Sequence, residues 1–144
     1  MTQPTIEPFT RAHLGGLMDL VAAEGWTEYT DDAERSYAAL TAPGVTTLVA
    51  IAGRVVGAIQ VQSDGAIQAH VSMLLIDRDS RAGGLGSRLL RAALERAGGL
   101  QLDIRTRTEG YYERLGASRS LGYRLTREDL GLSAGGAGET APAA

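Results

Sequence analysis

Residues 81–90 read RAGGLGSRLL, three glycines within four positions, followed by an apolar series at helical spacing. A helix N-terminus presents backbone N–H groups that have no internal acceptor and carry a partial positive charge. Side chains would hold an anion away from those groups, and glycine removes that barrier. The amides of residues 82–87, bared at Gly83, Gly84 and Gly86, can therefore approach a pyrophosphate. Arg81, with Arg78 or Arg88, can add charge-assisted bonds to phosphate oxygens. A plain turn into a helix would use similar residues, so known phosphate motifs are the first test. A Walker loop needs Gly-Lys-Ser/Thr, and all 14 basic residues of this chain are Arg. A dinucleotide fingerprint read from Gly84 and Gly86 needs a third glycine where Leu89 stands. What remains is Arg-x-x-Gly-x-Gly, filled by Arg81, Gly84 and Gly86.

Other reactive residue types are scarce. The chain has no cysteine, which excludes a disulfide framework, a thiol nucleophile and a Cys-ligated zinc site. The only histidines are His13 and His70, so a His-rich metal site is out of reach and no metal is expected. The net charge of −3 argues against nucleic acid as the main partner, because phosphate backbones reward a basic surface. A length of 144 residues suits one domain, and 44% hydrophobic with 22% charged residues is ordinary for a globular protein. No apolar run is long enough to span a bilayer, and MTQPTIEPFT has neither a basic start nor an apolar core. The expectation is a cytoplasmic protein with no membrane partner. Arginine in place of lysine, with abundant Ala and Gly, suggests a GC-rich bacterial genome.

The elements that must position these residues follow from periodicity. TIEPF (5–9) reads as a strand, and RAHLGGLMDLVAAEG as a helix ended by Gly25. TDDAERSYAALTAPG reads as a second helix capped by Thr30 or Asp31. VTTLVAIAGRVVGAIQVQ gives two strands around Gly53-Arg54, and AIQAHVSMLLID a third after the SDG turn. Leu85, Leu89, Ala93 and Ala97 share one face of an amphipathic helix closed by Gly98-Gly99. LQLDIRT reads as a strand, TEGYYERLGA as a short helix and SRSLGYRLT as a closing strand. Residues 131–144 collapse to a Gly/Ala-rich tail, expected to be flexible, leaving 1–130 as the folded domain. The order implies an α/β (α+β) fold, a mixed sheet with helices on its faces.

The segment LLIDRDSRAGGLGSRLL, strand then loop then helix, resembles the acyl-CoA loop of the GNAT-type N-acetyltransferases. YYERLGA is similar to that family's Tyr-Glu-x-x-Gly-Phe signature, through Tyr112, Glu113 and Gly116. The resemblance covers roughly residues 5–127, and the element order agrees with it. Two positions depart from the pattern. Ala117 stands where Phe is common, and no Asn precedes the tyrosine, leaving Thr106 or Thr108 for that contact.

The resemblance implies a single-domain acyltransferase with a mostly antiparallel central sheet, using acetyl-CoA as co-substrate to acetylate a primary amine. The cofactor-binding residues would be Leu74, Leu75 and Ile76 near the strand end, with Arg81, Ala82, Gly83, Gly84, Leu85, Gly86 and Ser87 in the loop. Around Leu75 and Ile76, a splay between that strand and LQLDIRT would leave amides for the pantetheine arm and the thioester oxygen. Tyr112 is the candidate acid, since a phenol with a pKa of roughly 10 is protonated at neutral pH and can donate to a thiolate. Packing against the sheet is its other reading. His70 stands eleven residues before Arg81, where several family members carry a Glu general base. An imidazole with a pKa near about 6.5 suits that task, directly or through water. A histidine hydrogen-bonded within the sheet is the alternative there.

The amine acceptor, a small molecule or a peptide, would enter opposite the cofactor, in the region EGWTEYTDDAE. Trp26 and Glu28 are the substrate-binding candidates, by cation–π and Coulomb attraction. Asp31, Asp32 and Glu34 answer the dipole of the helix that follows. Two rivals remain open. One is a non-catalytic acyl-CoA-binding or sensor module of the same fold, and the other is an enzyme for a longer acyl group or a hydroxyl acceptor. Because family members commonly pair through their sheets or last strands, the resemblance also allows a homodimer.

Overall fold

A computed structural model describes residues 2–26, 29 and 31–133. The chain forms two compact units, Met1–Ile104 and Arg105–Ala144. In the first, five strands make one sheet in the order β1 (Thr5–Pro8), β2 (Val45–Ile51), β3 (Val55–Ser63), β4 (Gln68–Ile76) and β5 (Gln101–Ile104). The first three pairings are antiparallel and β4–β5 is parallel, with Gln68 beside Gln101 and Val71 beside Ile104. This is the mixed, mostly antiparallel sheet flanked by helices that the element order implies.

Three helices cover the sheet: α1 (Leu14–Ala23), α2 (Ala33–Leu40) and α3 (Leu85–Ala97). α1 ends where Gly25 takes a left-handed φ of 78°, letting Trp26 N donate back to Val21 O at 3.0 Å. α2 is capped by Asp32, not by Thr30 or Asp31. The Asp32 backbone is extended, and its carboxylate accepts from Arg35 N at 3.0 Å, in the third helical position. Thr30 itself lies outside the described residues.

α1 and α2 bury Phe9, Leu17, Leu20, Val21 and Leu40 against Val49, Ala58, Met73 and Leu75 of the sheet. Each fully buried leucine contributes about 1.5–3 kcal/mol by leaving water. α3 lies over Gly57 of β3, where an added Cβ would sit 3.3 Å from Leu85, Leu89 and Ile76 side chains. At the far end of α3, Gly98 has φ +74°, and a Cβ there would meet Gly65 O at 2.9 Å. Only glycine fits that crossing.

The described part of the second unit differs from expectation. Gly110 and Gly116, at φ 84° and 86°, bracket the stretch read as a short helix, and only the single 3-10 turn Glu113–Leu115 fits between them. Residues 118–126 form no strand. Alternation gives a strand one apolar face, but a ladder partner must hold it, and none is paired with this stretch among the described residues. Leu121, Tyr123 and Leu125 are accordingly 88%, 88% and 68% exposed. A second 3-10 turn, Glu128–Leu130, precedes Gly131. Beyond Ser133 the expected tail lies outside the described residues. Among the described residues no helix is long and apolar enough to cross a membrane.

Candidate active site

The glycine segment sits between β4 and α3. Asp77 caps a 3-10 helix, Arg78–Gly83, its carboxylate accepting from Asp79 N at 3.3 Å. Gly84 then takes φ +72° and serves as the N-cap of α3, with Arg88 N donating to Gly84 O at 3.2 Å as the first helical bond. The amides of Leu85 and Gly86 fall in the first turn, where a helix has no internal acceptor for them. A Cβ built at Gly83 or Gly84 would meet no protein atom within 4 Å. The backbone is therefore open at both positions, as an anion cradle requires.

Arg81 is held from two sides. Its Nε donates to the Ile76 carbonyl at 3.1 Å, and its Nη2 donates to Glu24 Oε2 at 2.7 Å. No local signal announces this ion pair, because its partners lie 57 positions apart and meet only in the folded chain.

β4 carries the other strand-borne candidates. Its parallel pairing with β5 stops at Val71, so Ser72–Ile76, including Leu74 and Leu75, run on without a strand partner on that side among the described residues. On the β3 side, Gln60 pairs with Met73 while Val61 pairs with Val71, leaving Ser72 as a bulge. Bulges re-aim side chains. Here the shift brings His70 and Gln68 onto the same sheet face as Met73 and Leu75, where alternation alone would separate them. His70 is exposed, lies between Gln62 of β3 and Asp103 of β5 in register, and makes no ring hydrogen bond among the described residues.

An open cleft of 710 Å³ lies over this face, lined by His70, Gln60, Gln62 and Gln68 with Tyr29 and the end of α2. Its floor is ordered. The buried Gln60 accepts from the Tyr29 hydroxyl at 2.8 Å and donates to Ala39 O at 3.0 Å. Asp64 at the rim accepts from Ile67, Ala66 and Gln68 amides, which hold its carboxyl below the usual carboxylate range.

Of the acceptor-side candidates, Trp26 is partly buried against the α1–α2 core, its ring 6.1 Å from that of Tyr29. Glu28 lies outside the described residues. Glu34 is taken up by Arg11 at 2.8 and 3.1 Å, and Arg11 in turn lies 3.8 Å over the Tyr37 ring. His13 bonds Glu7 at 2.8 Å.

In the second unit Tyr112 opens the Glu113–Leu115 turn and meets Tyr111 edge-on at 5.0 Å. Burial, with a smaller contribution from Tyr111, pushes the Tyr112 phenol above its usual range. The group therefore keeps its proton through neutral pH.

Sequence reasoning placed Glu24 only among the acceptor-side carboxylates and missed its bond to Arg81, and it missed Gln62, Gln68, Gln101 and Asp103. A signal was present for the last four: AIQVQ, IQAHV and LQLDI each place polar residues at alternate positions of a strand. Only the register shows that the three strands put them on one face.

A profile of the acetyltransferase (GNAT) domain matches residues 15–128. No curated protein matches the sequence. Among solved structures, a transcriptional regulator from Bacillus halodurans C-125 superimposes with a TM-score of 0.72 at 21% identity, covering 85% of this chain and 99% of that one. A ribosomal-protein-alanine N-acetyltransferase from Brucella melitensis biovar Abortus 2308 gives 0.68 at 17% identity, over 88% and 99% of the two chains. AAC(6')-Iy, in complex with the bisubstrate analogue CoA-S-monomethyl-acetylneamine, gives 0.66 at 17% identity, over 87% and 99%. At such identities the likeness is one of fold.

Proposed function

The chain belongs to the GNAT acetyltransferase family, and on that premise we propose that it transfers the acetyl group of acetyl-CoA to a primary amine within a ternary complex. The observation that carries this reading is the open backbone at Gly83 and Gly84 before the first turn of α3. An anion placed there meets unsatisfied N–H groups and the positive end of a 13-residue helix. The diphosphate of coenzyme A has the charge and size for that place. The cradle is formed by Ala82, Gly83, Gly84, Leu85, Gly86 and Ser87. Arg81, steadied by Glu24 and the Ile76 carbonyl, offers its Nη1 to a phosphate oxygen.

The strand end Leu74–Ile76, which has no β5 partner, lends main-chain groups to the pantetheine arm and the thioester oxygen. In the reaction, the amine nitrogen attacks the thioester carbonyl carbon, the C–S bond breaks, and an amide and free thiol result. His70 takes the proton that the acceptor's ammonium must lose before its nitrogen can attack. Tyr112 gives one to the departing thiolate and is restored by the proton the nitrogen sheds as the amide forms. The raised pKa of Tyr112 agrees with a group that starts each cycle protonated. Trp26 and Glu28 are assigned the acceptor's ammonium, by cation–π and Coulomb attraction.

Thiol release from acetyl-CoA, assayed over polyamines, aminoglycosides, amino acids and short peptides, tests the reading. Release with at least one amine, lost in Tyr112→Phe and His70→Ala, is the expected result. Measurable binding of coenzyme A with no release for any amine would leave a ligand-binding module of the same fold and overturn the enzyme.

A further inference from the structure

The sheet face under α1 and α2 has two unlike halves. Over β2, β3 and the C-terminal half of β4 it is aliphatic and covered, with Val49, Ala58, Met73 and Leu75 against helix side chains. Toward β5 it turns polar and uncovered, and its side chains are already ordered by one another. Gln101 Nε2 donates to Gln68 Oε1 at 2.6 Å, Gln68 Nε2 donates to Asp103 Oδ2, and Gln62 Nε2 donates to Ser72 Oγ at 3.1 Å. His70 stands in their midst, beside Gln62 and Asp103 in register.

We infer that this polar half-face is the floor of the acceptor site and that it takes a small polyhydroxylated primary amine. The inference rests on the acetyl transfer proposed above, because His70 is what makes the floor an acceptor site.

Three features of the floor select that chemistry. First, it offers donors and acceptors side by side. Each glutamine has an amide N–H or carbonyl lone pair beyond its internal bond, Ser72 keeps its hydroxyl proton, and Asp103 keeps its second oxygen. A hydroxyl both donates and accepts, so a polyol can satisfy such a mixed array, whereas an alkyl or aryl amine would leave it unpaired at a cost. Second, no arginine lines the cleft among the described residues, while Asp64 at its rim and Asp103, bonded to the lining Gln68, bring negative charge. An ammonium is drawn in and a carboxylate repelled. Third, the polar side chains of the floor stand on the sheet face, inside the edges left by β5 and by Ser72–Ile76. An extended peptide gains most from main-chain pairing along an edge, which a face does not provide. A ring lying flat meets side chains on three neighbouring strands, spaced about 4.8 Å apart.

The test compares kcat/KM, by thiol release, for glucosamine, 1,4-diaminobutane, phenethylamine, glutamate and a neutral tripeptide. The intact chain is used, with wild type beside Gln68→Leu and Gln62→Ala. Glucosamine should lead the panel by at least about tenfold. Each variant should raise its KM about tenfold, with kcat changed far less. The affinity for coenzyme A, read by calorimetry on the same samples, should hold and so vouch for folding. Should Gln68→Leu fail that folding check, the exposed Gln62→Ala carries the comparison alone. Equal or better use of the diamine, the aryl amine, glutamate or the tripeptide would overturn the inference and leave the acetyl transfer standing. So would an unchanged KM in the variants. Transfer to no amine at all would instead strike the acetyl transfer itself.

Discussion

Leu89 and Leu121 are both leucines in regular apolar patterns, yet one is 0% exposed and the other 88%. They represent the two units. In Met1–Ile104 every periodic apolar stripe meets a surface: α3 on one face of the sheet, α1 and α2 on the other. In the described part of Arg105–Ala144 the apolar residues are in place but no ladder or helix takes them up. Periodicity therefore supplies a face, and a partner surface turns that face into stability. Stability and proposed chemistry are unequally shared as a result. The first unit holds the core together with the cradle and His70, while the second contributes Tyr112 from a segment with two single turns.

The largest effect should come from cutting the buried leucine. Leu89→Ala should lower unfolding free energy by about 2–5 kcal/mol, whereas Leu121→Ala should stay within about 0.5 kcal/mol. Denaturant melts of the two proteins measure both, and a cost at Leu121 equal to that at Leu89 would erase the contrast between the units. Next, Tyr112→Phe should lower kcat about a hundredfold or more while leaving the melting temperature where it was. Because burial raises the Tyr112 pKa, its protonated form persists at neutral pH and is lost only as pH rises through that raised value. A kcat profile should then keep this group's basic limb above pH of about 10. A limb near neutrality that vanishes in Tyr112→Phe would contradict the assignment.

Gly98→Ala should cost about 1–3 kcal/mol, from a strained positive φ and the Gly65 carbonyl 2.9 Å from the new carbon. A melt as stable as wild type would show that the α3–β4 crossing yields more easily than its geometry indicates. The smallest effect belongs to Asp64. Its folded pKa is depressed by three backbone amides, so its contribution is present at neutral pH and fades as pH falls below about 4 through the folded value. Asp64→Ala should lower the melting temperature slightly at pH 7, and the gap should close in acid. A gap that widens in acid would reverse the sign of this account.

Much of the first unit was legible in the residues themselves. Leu85–Ala97 begins and ends where its stripe and its glycines predict, and the Gly53 hairpin stands where its turn residues place it. These are local signals, complete within a few residues. The bulge at Ser72 was not legible, and with it the gathering of Gln62, His70 and Asp103 on one face, because register is settled by strands distant in sequence. The Glu24–Arg81 ion pair is long-range in the same way. The N-cap of α2 falls one or two residues later than expected, because three polar residues in a row, Thr30, Asp31 and Asp32, all suit that position. The closing strand expected at 118–126 rests on alternation, which tells what a strand would bury and says nothing of whether a neighbour exists.

The central claim concerns the backbone before α3, and Gly83 offers the cleanest way to probe it. A Cβ there meets no protein atom within 4 Å beyond its chain neighbours, so Gly83→Val should fold as wild type does and place its methyl groups where the diphosphate must lie. Calorimetric titration of coenzyme A into both proteins should give binding to wild type and at least a tenfold loss in the valine variant, at an unchanged melting temperature. No heat with wild type, or equal affinity in the two proteins, would contradict it.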